Sequence, residues 1–334
     1  MEIRHKDVIC DWIQVRGTHG KRVPEVNDGF KTFFDSAGNT VKTSAIPLTV
    51  YSETGRGAKI KVDGDILTAS GNFGAFAKFA NIGSARFEQA LANLDHTLVQ
   101  AKTEPTKGGM KPTRIDMAVD IETGETDNVR HYLDAIAERQ FAKLEKTIEP
   151  NTVYFGKRST HKTIKAYDKG KHLLGLAKQE KDSEKKKQLM LAAQYCLDNG
   201  IVRIEISYKR SLQRLVPKGE SRKVRLTDLT HEKLAALLEK DVTFMGTTIN
   251  KKQLDKIPTK YLATLAMYLI GESPKKRLHR STYQEHRKAL LKYGYDIGNE
   301  NIEFIKPKTK TIVLKVAQYP DCFNTPDLRL ITNE

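Results

Sequence analysis

Three short segments of this chain alternate polar and apolar residues: RIDMAVDI at 114–121, HKTIKAYDK at 161–169 and VRIEISYK at 202–209. A period of two is the period of a β-strand, whose side chains point to opposite faces in turn. Each segment therefore splits into two sides. In the first, Ile115, Met117, Val119 and Ile121 oppose Arg114, Asp116 and Asp120. In the third, Val202, Ile204, Ile206 and Tyr208 oppose Arg203, Glu205, Ser207 and Lys209. The second is more polar throughout, with His161, Thr163, Lys165, Tyr167 and Lys169 on one side and Ile164 and Ala166 on the other. The two tyrosines separate on this ground alone: Tyr208 belongs to a core face and Tyr167 to a polar one.

If the three strands are neighbours in one antiparallel sheet, a single polar face gathers Asp116, Asp120 and Glu205 beside His161, Lys165, Tyr167 and Lys169. Two or three carboxylates suit Mg²⁺ or Mn²⁺, which accept a few protein oxygens and keep positions for a substrate phosphate. A tyrosine beside such a cation and beside lysines loses its phenolic proton more readily and can attack phosphorus, giving a phosphotyrosyl intermediate. The lysines would neutralise the non-bridging oxygens as charge builds. His161 fits a ligand, a base or a surface residue, and pattern favours the surface. The plain reading of the same alternation is a solvated sheet face with a packing tyrosine.

Around these strands the pattern is mixed. The first hundred residues combine short alternating runs with glycine-rich turns, as in RGAKIKV and ILTASGNFGAFAKFANIGS, and predict strands followed by a helix near 85–100. KTEPTKGGMKP at 102–112 reads as a turn-rich connector and an internal boundary. Helical spacing marks 128–146, strand composition 152–158, and a long charged helix or helical pair 173–200, ending at Gly200. From about 225 the chain turns helical, at 230–240 with Thr230 as N-cap, at 259–271, and at 281–294 with Ser281 as N-cap. SPKKRLHR before the last of these is a basic turn leading into a helix, the arrangement of a helix-turn-helix, which nominates Lys275, Lys276, Arg277, Arg280 and Arg287 for contact with DNA. The expectation is an α+β fold: a first domain with a largely antiparallel sheet and flanking helices over 1–220, then a smaller, mainly helical accessory domain over 221–334.

Charge points to the partner. Lysine and arginine number 57 against 41 acids, a formal charge of +16, which favours a polyanion, nucleic acid first. A membrane is the rival surface, but the most apolar run, 261–271, is far short of the roughly 20 residues a spanning helix needs. MEIRHKDVICDWIQV carries charges where a signal peptide needs an apolar region, so the protein is expected in the cytoplasm. Cys10, Cys196 and Cys322 are far apart and in no CxxC pair, against both a disulfide framework and a zinc site.

RID at 114–116, HKTIKAYDKGKHL at 161–173, IVRIEI at 201–206 and, more loosely, HRSTYQEHRKALLKYGY at 279–295 resemble the gene II/X replication proteins of filamentous bacteriophages. The resemblance runs from about residue 48 in the family's order and spacing. It implies a rolling-circle initiator that nicks one strand at the origin of double-stranded phage DNA. Such an enzyme stays on the 5′ phosphate through a tyrosine, leaves a 3′ hydroxyl for a host polymerase, and later rejoins the displaced strand. The family's nucleophile falls on Tyr167, and its acidic positions fall on Asp116 and Glu205. Asp120 has no family counterpart, and there is no His-hydrophobe-His motif of the kind that binds metal in many other rolling-circle initiators. YDKG is also similar to plasmid initiators. No Walker A pattern occurs, so unwinding falls to a host helicase, in the cytoplasm of a bacterial host. A non-enzymatic DNA-binding protein of the repressor type is the alternative. A tyrosine recombinase does not fit, since the one HxxR, His19 to Arg22, lies at the wrong end of the chain.

Overall fold

A computed structural model describes residues 3–18, 26–76, 78, 80–83, 85–103, 109–139, 141, 144–216, 219–246, 257–269, 272–293, 295–298, 312–320 and 323. Eleven strands among them form one sheet in which every pairing is antiparallel. The strands are β1 (Ile9–Thr18), β2 (Asn27–Phe34), β3 (Thr40–Tyr51), β4 (Gly57–Asp63), β5 (Ile66–Gly71), β6 (Lys111–Glu122), β7 (Lys146–Glu149), β8 (Thr152–Phe155), β9 (Lys162–Asp168), β10 (Ile201–Tyr208) and β11 (Lys315–Val316). Their spatial order is β2-β3-β4-β5-β1-β6-β10-β9-β8-β7, and β11 pairs with β6 at Glu122 and Ile121, past the point where β1 has left that edge. The three alternating segments thus lie side by side as β6, β10 and β9.

One face of this sheet is the core. Ile13, Val15, Ile115, Met117, Val119, Ile204, Ile206, Ile164 and Phe155 are wholly buried on it, each contributing roughly 1.5–3 kcal/mol through the apolar surface it removes from water. Three helices cover it: α1 (Phe87–Gln100) with Phe87, Leu94 and Leu98, α2 (Thr126–Ala137) with Val129, Leu133 and Ile136, and α5 (His231–Gly246) with Leu234, Leu238 and Val242. Tyr208 belongs to this core, fully buried, its hydroxyl donating to Asp241 on α5 at 3.2 Å.

The helical segments differ in detail from the sequence expectation. The helix expected over 128–146 stops at Ala137, and Phe141 instead packs on Phe155 with ring centroids 5.6 Å apart before β7 begins. The charged stretch at 173–200 is a pair, α3 (Lys169–Gln179) and α4 (Ser183–Asp198), divided where Asp182 caps the second helix by accepting from Lys185 N. Gly200 follows with φ +58, a conformation that favours glycine, and a Cβ there would meet Glu125 O at 2.3 Å.

Three further helices are α6 (Thr259–Leu269), α7 (Pro274–Arg277) and α8 (Arg280–Leu291); Tyr283, Leu290 and Leu265 centre a small cluster of their own. His279, not Ser281, stands at the α8 N-cap. The helical region expected from 221 onward does not keep to itself: α5 packs on the main core, and Tyr319, after β11, reaches back to β6. Residues 104–108 of the connector, and Cys322, lie outside the described residues. No helix among the described residues is long and apolar enough to cross a membrane.

Candidate functional site

The second face of the sheet is polar, and the registers of β6, β10, β9 and β8 arrange it in rows. Asp120, Arg203, Tyr167 and Thr152 form one; Ala118, Glu205, Lys165 and Tyr154 the next; Asp116, Ser207 and Thr163 a third, continued by Trp12 on β1. A bulge lies between Cys10 and Trp12 on β1, so the intervening Asp11 is an extra residue, set opposite the β6 stretch that carries Asp116. Asn72 and Asn81, from the segment that crosses β1, each donate to Asp11 Oδ1, at 2.7 and 2.6 Å. That segment lies close enough to β1 that a Cβ on Gly74 would meet Cys10 O at 1.6 Å, so no other residue fits there without moving the backbone.

Tyr167 is buried at the end of β9, one residue before Asp168 caps α3 by accepting from Lys171 N. Its hydroxyl donates toward Glu205 Oε2 at 3.5 Å, a long hydrogen bond. Lys165 Nζ stands over its ring, 3.9 Å from the centroid, Lys169 Nζ is 5.9 Å away, and the His172 ring meets it edge-on at 5.1 Å. Burial, with Glu205 next, pushes the phenol well above its ordinary value; Arg203 opposes them and is outweighed. With the chain's own residues alone, the lysines do not ease this proton off. They lie against the face of the ring, and Glu205 is the group at the hydroxyl.

Three carboxylates feel one another here. Glu205 is pushed up to about 7 by burial and then by Asp11, with Asp116 adding and Lys165 opposing. Asp116 is raised by burial, against a two-pronged pairing with the Arg114 guanidinium, one prong at 2.7 Å, and a hydrogen bond from Ser207. Buried oxygens that repel one another are a donor set a hard divalent cation would relieve, so Asp11, Asp116 and Glu205 fit such an ion chemically. Among the described residues, however, no three His, Cys, Asp or Glu side chains stand close enough together to hold a metal ion as placed.

Asp120, expected with them as a metal ligand, is occupied elsewhere. It accepts from Arg203 Nε at 2.5 Å and Nη2 at 2.6 Å and from the Tyr319 hydroxyl at 2.7 Å, and this buried pairing holds its pKa down despite desolvation. The reason is register: Arg203 is its Cα partner across β6 and β10, and a guanidinium buried without a counter-ion would be prohibitive. Arg203 Nη1 finds no partner among the described residues and is buried in the row that holds Tyr167. Lys169 is buried as well; burial, then Arg203, lowers it to about 7, against the pull of Asp120.

His161 is not in the site. It is exposed, just before β9 begins, six residues from Tyr167, roughly 20 Å along an extended strand. Desolvation and Arg214 lower its pKa, and its carbonyl anchors Lys209 N and Ser211 N. Sequence reasoning missed Asp11, whose signal was an acid inside an otherwise apolar VICDWIQV, and His172, lowered to about 4 by desolvation and by Lys169 and Lys165.

In the helix-turn-helix region, Lys275, Lys276, Arg277 and Arg280 are exposed on α7 and at the start of α8, with Arg277 paired to Glu272 at 3.3 Å. Arg287 is a structural residue and not a surface cation: half-buried, it holds Asp296 with bonds of 2.7 and 3.1 Å and fixes the turn after α8.

The geometry is that of an α+β protein with one apolar sheet face and a second face, itself partly covered by the α3 and α4 pair, on which a buried tyrosine, carboxylates and cations converge. A family model for the N-terminal part of the phage replication-associated protein of the gene II type matches residues 72–252, more than half of the 334, and begins at the asparagine that holds Asp11. The chain belongs to that family of replication-associated proteins. It is also similar, at 14% identity and a TM-score of 0.30, over 78% of its length and 84% of the other's, to the solved structure of the Rolling Circle Replication Initiator Protein from Geobacillus stearothermophilus, a likeness too loose to carry residue roles across. No curated protein matches it.

Proposed function

We propose that the chain is a rolling-circle replication initiator that nicks one strand of origin DNA through Tyr167 and later rejoins it. The observation that supports this most directly is the Tyr167 hydroxyl facing Glu205 at 3.5 Å on a sheet face edged by Lys165, Lys169 and Arg203. Glu205 takes the phenolic proton as the Tyr167 oxygen attacks the scissile phosphorus. The bond to the 3′ oxygen breaks, that oxygen takes a proton from solvent to become a 3′ hydroxyl, and the 5′ phosphate stays on Tyr167. Rejoining is the reverse, a 3′ hydroxyl attacking the phosphotyrosine and Tyr167 regaining its proton. Lys165, Lys169 and the unpaired Nη1 of Arg203 are the cations that answer the charge on the non-bridging oxygens. Asp116, Glu205 and Asp11 would hold a divalent ion, Mg²⁺ or Mn²⁺, which when bound neutralises phosphate oxygens. Origin DNA is the substrate, with a host helicase and polymerase acting after the nick in the cytoplasm.

The test is incubation with supercoiled plasmid bearing the cognate origin and Mg²⁺. Open circles carrying a protein-linked 5′ end on Tyr167, absent from Tyr167→Phe while origin binding persists, are expected. Wild-type nicking by Tyr167→Phe would move the nucleophile elsewhere. Binding without a nick in both Mg²⁺ and Mn²⁺ would leave a non-enzymatic DNA-binding protein.

A further inference from the structure

The polar face does not end at the carboxylates. A second irregularity lies between Gln14 and Val15 on β1, where Gln14 faces Arg114 but Val15 faces Pro112, so Thr113 is an extra residue. Its consequence is a change of phase: Lys111, Arg114 and Asp116 share one side of β6, and Lys111 is brought opposite Arg16. Beyond this row opens a cleft of about 800 Å³ lined, among the described residues, by five cations, Arg16, Lys111, Lys209, Arg210 and Lys223, and by no acid. None of the five has an ion-pair partner among the described residues. Of their side chains, only that of Lys209 is hydrogen-bonded among the described residues, to Ser159 O at 2.8 Å and Thr163 Oγ1 at 3.1 Å. Pro112 and Val224 give the cleft an apolar part.

Five like charges left uncompensated around one cavity cost self-repulsion, which a polyanion would relieve. The cleft is too small for a duplex, whereas sugar-phosphate with apolar wall for bases is what a single strand offers. Its position fits: Lys209 follows β10 directly and donates to Thr163 Oγ1, which lies in the row next to that of Glu205. Arg114, stacked 5.7 Å from the centre of the Trp12 ring, lies between.

We propose that this cleft is a single-strand binding site, which holds the backbone of the cut strand a few nucleotides from Tyr167. The inference rests on the reading of this face as one that works on DNA, but its test needs no cleavage. Binding of fluorescein-labelled oligothymidylate, about 20 nucleotides long, is read by anisotropy across a salt series. A chain carrying Arg16→Glu, Lys111→Glu and Arg210→Glu should bind at least about tenfold more weakly, with a salt slope shallower by about 2, since each single-strand phosphate contact contributes about 0.7. A control with Lys186→Glu, Lys187→Glu and Lys240→Glu, exposed cations on α4 and α5, makes the same charge change away from the cleft. Equal loss in both variants, or none in the first, overturns the site, as does tighter binding of a duplex of the same length. Should the triple variant not fold, protection of Lys111 and Lys223 of the wild-type chain from amine-reactive label by oligothymidylate serves instead, and unchanged labelling overturns the proposal. Tyr167→Phe binds like wild type in either case, so a failure of the nicking reading and a failure of this site are separate results.

Discussion

At the scale of residues, two buried groups with opposite shifts make a pH prediction. Glu205 holds its proton more tightly in the folded chain, at about 7, than its ordinary 4.5, so its ionisation works against folding and stability falls as pH rises from about 4.5 to about 7. Lys169 is the mirror case: its proton is held less tightly in the folded chain, at about 7, than at the ordinary 10.5, so stability recovers as pH rises from about 7 to 10.5. The two together predict a trough in Tm near neutral pH, measured by thermal unfolding with chelator present. Glu205→Gln should flatten its acid side and Lys169→Met its alkaline side; a trough unmoved by both would mean that other groups set it. Alternation alone put Tyr167, Glu205, Asp116 and Lys169 on one face. It could not tell Asp116 from Asp120, because both point the same way from β6. What separates them is the residue each meets across the sheet, Ser207 for one and Arg203 for the other.

At the scale of elements, the row Asp120–Arg203 fastens β6 to β10, and Tyr319 ties the segment after β11 to the same carboxylate. Asp120→Ala leaves a guanidinium buried without its counter-charge, a loss expected at about 3–5 kcal/mol in urea unfolding. Tyr319→Phe removes one hydrogen bond and should cost about 1–2 kcal/mol. If Asp120→Ala costs no more than Tyr319→Phe, the ion pair is not what closes this end of the sheet. The strands β6, β9 and β10 were legible because polar and apolar residues alternate along 114–121, 161–169 and 202–209. The bulges at Asp11 and Thr113 were not, since a single extra residue leaves composition unchanged and shows only against a partner strand. Nor was the end of α2, because 128–146 keeps helical spacing while Phe141 gains more by packing on Phe155.

At the scale of the whole molecule, the net charge of +16 resolves into separate cationic surfaces, one on the polar sheet face and one on α7 and α8. Small basic helices presented at a turn suit the phosphates of a duplex, while the sheet face, with its buried tyrosine, suits a strand already separated. This division predicts different losses from different charge reversals. Lys276→Glu with Arg280→Glu should weaken binding to duplex origin DNA and reduce its salt slope by about 1.8, two phosphate contacts at about 0.9 each. The same pair should leave cleavage of a single-stranded origin oligonucleotide near the wild-type rate, since neither residue lies on the face of Tyr167. Electrophoretic mobility shifts across a salt series and cleavage of the single-stranded substrate measure the two separately. An unchanged duplex slope would remove α7 and α8 from the interface. A matching fall in single-strand cleavage would mean instead that helices and sheet face grip one continuous substrate, so that the charge is a single surface.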